Sequence, residues 1–379
     1  GCDFGKAVGQ AGEPDGVWLE GTAQMAAAYA AMGSWAPSEH YLRQLRTVQE
    51  NHPAGDGAGL VSAASDGLST GFDWEYNARL HVGATAWAMM ANEAYNPFTA
   101  SWMDQPRSAP CLGMAIPSWW HDKYEGLPAA EALLALADTG ADVVEFTPAW
   151  YQNTIHSSFL GADPQKTASD AGVRRMIQLA HDLEMEVLLK PHVELWDGGS
   201  RTEIAPDDPS AWFDSYTDFA LHYAAIAEEE AAECFSVGTE LASMSGAQHL
   251  VEWQEVIGAV ENVYGGRTVY AANHDEYTDV AFWDEVDLIG LDAYFDLGAT
   301  VPHSRPDADE LRQAWEPVLA DVTAWLAENH PGRQMLITEI GYRNISDAHV
   351  RPWEAWREGE PDEATQAACY EAALDAWGE

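Results

Sequence analysis

Two apolar runs in the chain end in glutamate. One reads Cys234-Phe235-Ser236-Val237-Gly238-Thr239-Glu240, the other Met335-Leu336-Ile337-Thr338-Glu339-Ile340-Gly341-Tyr342. Read as strands, each delivers a carboxylate at its C-terminal end. Two carboxylates converging on one cleft can hydrolyse a glycosidic bond. One donates and then recovers a proton while the other attacks the anomeric carbon, at a separation of about 5–5.5 Å; a wider gap of about 6.5–9.5 Å admits a water and inverts the centre. The first group needs a raised pKa, and the second must stay ionised. With 62 acids in the chain a single glutamate so placed would mean little, because a solvated strand end explains it equally well. Two such ends carry more weight.

Other run ends carry groups suited to a sugar. Lys190-Pro191-His192 closes one, Asn273-His274 a second and Asp292-Ala293-Tyr294 a third. Asn273 can donate to sugar hydroxyls. Asp292 and Tyr294 share one face by the period of two, and a tyrosine hydroxyl there can hydrogen-bond a carboxylate and keep it ionised. The alternatives are a hydrogen-bonded structural histidine, a turn asparagine and a core tyrosine. Trp119, Trp120, Trp150, Trp196 and Trp283 fall in or beside the same loops. Trp119 and Trp196 are the favoured stacking platforms, and Trp315 and Trp325, on a helical pattern, are expected in the core.

The elements that position these groups are read from periodicity. Strands are expected at Leu112–Ile116, Val143–Thr147, Glu186–Pro191, Cys234–Thr239, Thr268–Asn273, Leu288–Tyr294 and Met335–Thr338. Between them Val173, Met176, Ile177, Ala180 and Leu183 mark one helix face, and Leu311, Trp315, Val318, Leu319, Val322 and Leu326 another. Regular β–α alternation implies a parallel sheet covered by helices, here a (β/α)8 TIM-type barrel, in which active sites lie at the C-terminal strand ends. Glu240 and Glu339 then end its fourth and seventh strands. A last helix fits 361–377 and no eighth strand follows it, so both ends of the chain are expected to be cut from a longer protein. Residues 1–98 read as a small helical region, with helices near Trp18–Tyr29, after Pro37-Ser38 and over Leu80–Tyr95; 99–110 read as a linker, and 111–379 as the barrel domain.

Residues 111–379 resemble glycoside hydrolase family 113, a group of clan A (β/α)8-barrel β-mannanases. The resemblance rests on Gly113–Tyr124 (GMAIPSWWHDKY), Pro148–Gln152 (PAWYQ), Leu189–His192 (LKPH), Val237–Leu241 (VGTEL), Tyr270–Asn273 (YAAN), Phe282–Phe295 (FWDEVDLIGLDAYF) and Ile337–Arg343 (ITEIGYR). It implies a retaining endo-β-glycosidase, with β-1,4-mannan the favoured substrate, Glu240 the acid/base and Glu339 the nucleophile. Tyr294 or Arg343 is then expected beside Glu339, and Glu240 is expected to hold its proton through burial and repulsion from Glu339. Many clan A enzymes place Asn before the acid/base; here Thr239 stands there. Residues 17–98 resemble the last hairpins of an (α/α) toroid, on Trp18–Gln24 (WLEGTAQ), Gly83–Trp87 (GATAW) and Asn96-Pro97-Phe98. Hydrolysis of another β-glycan, or non-catalytic glycan binding within a larger envelope protein, stays open as an alternative.

Composition narrows the partners. The 379 residues carry 62 acids against 18 bases, a net charge of −44, and the lysines are Lys6, Lys123, Lys166 and Lys190 alone. Nucleic acid and anionic membranes need clustered cations, so neither is an expected partner. No apolar run reaches the roughly 18 residues of a membrane span. No signal peptide is visible in residues 1–16, yet a glycan substrate favours an extracellular or cell-envelope location. The four cysteines, Cys2, Cys111, Cys234 and Cys369, form no CxxC and have no histidine at ligand spacing, so no metal or other cofactor is expected. Self-repulsion of this size destabilises a compact state at low salt, and acid excess with few lysines points to a salt-loving host rather than a merely acidic protein. The melting temperature should therefore rise steeply from low salt to about 1 M, where the screening length falls to about 3 Å. A flat dependence in a thermal scan against NaCl would sink this expectation.

Overall fold

The computed structural model of the chain describes residues 19–31, 35–54, 60–63, 68–69, 75–80, 82–92 and 112–378. The chain divides into two compact units, Gly1–Pro106 and Arg107–Glu379. Trp18, Cys2, Cys111 and the expected linker 99–110 lie outside the described residues.

The first unit holds α1 (Leu19–Ala31), α2 (Trp35–Asn51), a short antiparallel pair, β1 (Leu68–Ser69) with β2 (Glu75–Tyr76), and α3 (Val82–Asn92). Its core joins Leu19, Ala23, Ala26 and Ala27 to Leu42, Leu45, Leu60, Val61 and Ala84. Alanine at the contacts lets the helix backbones approach closely. The Pro37-Ser38 start signal is not where α2 begins. Ser38 lies inside the helix, and its buried hydroxyl donates to the Ala26 carbonyl at 2.9 Å, tying α2 to α1. The β1–β2 pair lies between the expected helices, in a region read as wholly helical.

The second unit alternates strand and helix: β3 (Gly113–Pro117), α4 (Leu127–Ala137), β4 (Val143–Thr147), β5 (Ala149–Gln152), α5 (Asp170–Asp182), β6 (Glu186–Leu189), β7 (His192–Leu195), α6 (Pro209–Glu229), β8 (Cys234–Thr239), α7 (Leu250–Glu261), β9 (Arg267–Asn273), β10 (Leu288–Asp292), α8 (Ala308–Asn329), β11 (Met335–Glu339) and α9 (Glu363–Trp377). Seven strands form one parallel sheet in the order β3-β4-β6-β8-β9-β10-β11, the sheet of a (β/α)8-type barrel. All seven expected strands are present, two with the expected bounds and five with ends shifted by a residue or two. A small parallel pair, β5 with β7, was not expected. Pro148 and Pro191 lack donors and interrupt the β4–β6 ladder, which resumes beyond them when His192 N–H donates to the Pro148 carbonyl at 2.8 Å.

β4, β8 and β10 are buried along their whole length, as strands covered on both faces must be. α6 supplies much of that cover. It starts at the Asp208 cap with Pro209 in its first turn, and Trp212, Tyr216, Phe219 and Tyr223 recur along its inner face. Trp212 stacks on Tyr216 at 4.8 Å, and Trp253 of α7 stacks on Phe282 at 4.5 Å. Trp315 is fully buried, as expected, whereas Trp325 is only partly buried against the core; Cys234 is fully buried too.

Two glycines set close backbone contacts that position the strand ends. A Cβ on Gly290 of β10 would lie 2.5 Å from the Tyr270 carbonyl oxygen of β9. A Cβ on Gly238 of β8 would meet the Tyr270 ring at 2.8 Å, Trp253 at 2.9 Å and the Tyr216 hydroxyl at 2.9 Å. The β8–β9 register shifts between Ser236 and Gly238, a bulge just before Glu240. Gly290→Ala should destabilise the unit by about 1–3 kcal/mol, because backbone must move. Gly258→Ala, inside α7 with nothing near the added methyl, should instead stabilise it by about 0.5–1 kcal/mol. Urea unfolding of the two variants checks both signs.

Candidate active site

The C-terminal ends of the strands carry a connected set of charges. Lys190, directly after β6, is 0% exposed. Its ammonium donates to Glu339 Oε1 of β11 at 2.5 Å and to Asp292 Oδ1 of β10 at 3.1 Å, and lies 3.6 Å from Glu145 Oε1 of β4. Thr338 Oγ1 also donates to Asp292 Oδ1, at 2.7 Å. Tyr294 donates to the other oxygen of Glu339, Oε2, at 2.8 Å. His192 Nε2 stands 3.7 Å from Glu339 Oε1. On the neighbouring side Arg201 Nη1 donates to Glu240 Oε2 at 3.2 Å, its Nη2 to Glu194, and its Nε to the Val193 carbonyl at 3.2 Å.

One buried cation cannot hold three buried carboxyls ionised, and the pKa shifts divide them. Burial alone would raise Glu339, but the Lys190 ammonium, the Lys190 and Tyr294 hydrogen bonds and Arg201 outweigh it and hold Glu339 below the usual carboxylate range. Burial, reinforced by repulsion from Glu339 and Glu240, pushes Asp292 up to about 8 despite Lys190. Burial also raises Glu145 well above its ordinary value. Lys190 is pulled down by burial and pushed up by Asp292, Glu145 and Glu339, with a net rise that keeps it charged. Glu240 rises to about 7, from burial and then repulsion by Glu339, with Arg201 opposing. His192 falls well below its ordinary value through burial and the nearby Arg201 and Lys190 charges, so it is neutral.

Glu240 sits one residue beyond β8 with φ +52°, in the left-handed region that a non-glycine residue rarely adopts. Its N–H donates to the Ala271 carbonyl at 2.8 Å. Asn273 ends β9, and its side-chain oxygen accepts from the His274 N–H at 2.8 Å, which leaves the amide NH2 as the available donor.

The expected residues are distributed as follows. Glu240, Glu339, Tyr294 and His192 belong to the charged set. Asp292 was expected to bind sugar, but it is 0% exposed and engaged by Lys190 and Thr338, so it lies beneath the site. Arg343 does not neighbour Glu339. It falls in the loop past the strand end, where its Nη1 donates to the Arg357 carbonyl at 2.5 Å, and Lys190 is the cation on Glu339 instead. Trp119, 49% exposed, and Trp196, 47% exposed, both present open surface. The Lys166 ammonium lies over the rings of Trp196 at 4.6 Å, Trp120 at 5.4 Å and Tyr151 at 5.7 Å. Trp150 packs against Phe219, His222 and Tyr223 of α6, and Trp283 is buried with its indole N–H on the Tyr277 carbonyl.

Sequence reasoning missed Glu145, Arg201 and the ring of Trp353, which stacks on His274 at 5.0 Å. Glu145 had a signal: it is the one charge inside the run Val143-Val144-Glu145-Phe146-Thr147. Arg201 had none, because a short turn after β7 brings it in. Among the described residues no group of His, Cys, Asp or Glu is arranged to hold a metal ion.

This geometry has relatives. The profile of Glycoside Hydrolase Family 113 matches residues 118–379. The family-113 β-mannanase AaManA from Alicyclobacillus acidocaldarius, solved in complex with ManMIm, is 30% identical with a TM-score of 0.60, over 70% of this chain and 81% of that one. A second solved family-113 β-1,4-mannanase is 24% identical with a TM-score of 0.59, over 70% and 82%, a likeness of fold. No curated protein matches. A profile match over most of the chain, on a barrel whose strand ends gather two glutamates of opposite pKa shift, places the chain: it belongs to glycoside hydrolase family 113, and its substrate is a carbohydrate.

Proposed function

We propose that the chain is a retaining endo-β-glycosidase acting on β-1,4-mannan, with Glu240 as acid/base and Glu339 as nucleophile. The observation that carries this reading is the opposite displacement of two neighbouring carboxyls, Glu240 up to about 7 and Glu339 down. A group that keeps its proton near neutrality can protonate a leaving oxygen, and one that stays ionised can attack carbon. In the first step Glu339 forms a bond to the anomeric carbon while the glycosidic C–O bond breaks and Glu240 gives its proton to the departing oxygen. In the second, Glu240 takes a proton from water, whose oxygen displaces Glu339 from the same carbon. Repulsion from Glu339 contributes to the raised Glu240 pKa, so neutralising Glu339 in the intermediate lowers it and turns Glu240 into the base the second step needs.

The surrounding groups have roles in this scheme. Tyr294 and Lys190 bond one oxygen each of Glu339. Neutral His192 and the Asn273 amide line the sugar position. Trp119 and Trp196 offer stacking faces, the latter beside Trp120 and Lys166. Asp292 and Glu145 act on the sugar only through Lys190. The mannan preference rests on likeness to the family-113 mannanases at 23–30% identity.

Assays in molar salt on mannan, glucan and xylan test the reading. Mannan should be cleaved fastest, with the β configuration kept in the first product, as seen by NMR of the released anomer. Inverted product or binding without hydrolysis would overturn it. kcat/KM should rise with pH as Glu339 ionises and fall above about 7 as Glu240 loses its proton. Glu240→Gln should lower kcat/KM by about 10²–10⁴-fold and remove the alkaline limb. Glu339→Gln should abolish turnover.

A separate expectation concerns Lys190. Lys190→Met removes the charge that holds Glu339 down, so the acid limb should move to higher pH. The same change leaves buried carboxyls without their cation and should destabilise the unit by about 3–5 kcal/mol. An unmoved acid limb in a folded variant would count against this account of Glu339.

A further inference from the structure

The acid/base assignment places a demanding requirement on one backbone position. Glu240 is held at φ +52°, and a non-glycine residue persists there only when its surroundings over-determine it. Two hydrogen bonds fix the bend from the sheet side. Glu240 N–H donates to the Ala271 carbonyl at 2.8 Å, and the next N–H, of Leu241, donates to the Tyr270 hydroxyl at 2.9 Å.

Tyr270 is itself gripped. Its ring is fully buried and edge-on to Trp253, Phe282 and Trp283, with Gly238 packed against it too closely for any Cβ. Its hydroxyl, already accepting from Leu241, donates to Glu276 Oε1 at 2.5 Å. Glu276, 2% exposed, uses Oε2 to accept from the Asn273 N–H at 3.0 Å. One buried carboxyl thus ties the backbone beside Glu240 at the end of β8 to the backbone of Asn273 at the end of β9. Neither Tyr270 nor Glu276 has an exposed polar atom to offer a sugar, and a buried glutamate is unfavourable unless its partners use it. Burial raises Glu276 to about 7, which its hydrogen bonds from Tyr270, Ser245 and Asn273 only partly offset.

We infer that Tyr270 and Glu276 are positioning residues for the proton-transfer step, a clamp that aims the Glu240 carboxyl at the leaving oxygen. This rests on the acid/base reading of Glu240 above. A clamp of this kind has a signature that general stabilisation lacks. Protonation of the leaving group matters for a poor leaving group and hardly at all for one that departs as a stable anion, so misaiming the acid should hurt the first and spare the second.

The test uses two β-mannotriosides, one with a phenyl and one with a 2,4-dinitrophenyl leaving group, and the full chain carrying Tyr270→Phe, Glu276→Gln or Glu240→Ala, each checked for folding by circular dichroism. Tyr270→Phe deletes the hydroxyl. Glu276→Gln keeps the side-chain volume but leaves one acceptor where the Tyr270 hydroxyl and the Asn273 N–H each need one, so one end of the clamp is lost, and it is the variant of choice if the first fails to fold. The clamp predicts that kcat/KM on the phenyl glycoside falls by about 10²-fold, the effect of roughly 1 Å of misplacement, with little change on the dinitrophenyl glycoside. Equal losses on both, or no loss on either, would overturn it and leave the pair as packing. Glu240→Ala separates the two levels. If it shows the leaving-group dependence and the clamp variants do not, only the clamp fails; if it shows none, the acid/base reading fails and takes the clamp with it.

Discussion

The barrel mouth is organised around one buried ammonium. Lys190 has no exposed surface, and the carboxyls around it come from three strands, β4, β10 and β11. A buried lysine is strongly unfavourable unless paired, and so is each buried carboxylate. Together they form an arrangement in which the cation is fully engaged but cannot satisfy three anions. Two carboxyls therefore take protons, and the third, Glu339, keeps its charge through the Lys190 charge and hydrogen bond, the Tyr294 hydrogen bond and the Arg201 charge. The carboxyl that remains anionic is the one nearest the ammonium, at 2.5 Å, and the least buried of the three.

Glu240 lies outside that arrangement and answers to a different cation. Arg201 bonds it through one nitrogen and shares itself with Glu194 and the Val193 carbonyl. A guanidinium committed elsewhere opposes the rise of the Glu240 pKa without cancelling it. The site thus uses a fully committed lysine on one carboxyl and a divided arginine on the other, and the contrast between the two environments shifts the pKa values of identical side chains in opposite directions.

The elements and the two glutamates were legible because they rest on local pattern. Val143–Thr147 and Cys234–Thr239 are the strands the apolar runs suggest, and an acid terminating such a run is visible without a fold. What the sequence could not disclose depends on neighbours far along the chain. Of the two residues expected beside Glu339, Tyr294 is there and Arg343 is not; Lys190 and Glu339 are remote in sequence, and only the sheet order brings that cation into contact. Asp292 looked like a ligand for sugar because it ends a strand beside Tyr294. The period of two gives the face a side chain takes but not its depth, and Asp292 is 0% exposed with Lys190 and Thr338 bonded to it. The β5–β7 pair escaped because prolines usually end strands, and here each only interrupts one.

The shared ammonium also bears on how such a site can change over time. Glu145, Lys190, Asp292 and Glu339 are bound by one charge balance, so a substitution at any of them alters the protonation of the others. Neighbours coupled in this way do not contribute independently. A lineage that lost the lysine would carry surplus buried acid until one of the carboxyls also changed, whereas a lineage that first neutralised Asp292 or Glu145 would leave the lysine still paired with Glu339. The order of steps is therefore not free. Drift at this mouth is open from the carboxyl side and barred from the lysine side, an epistatic asymmetry written into the number of acids that surround one base.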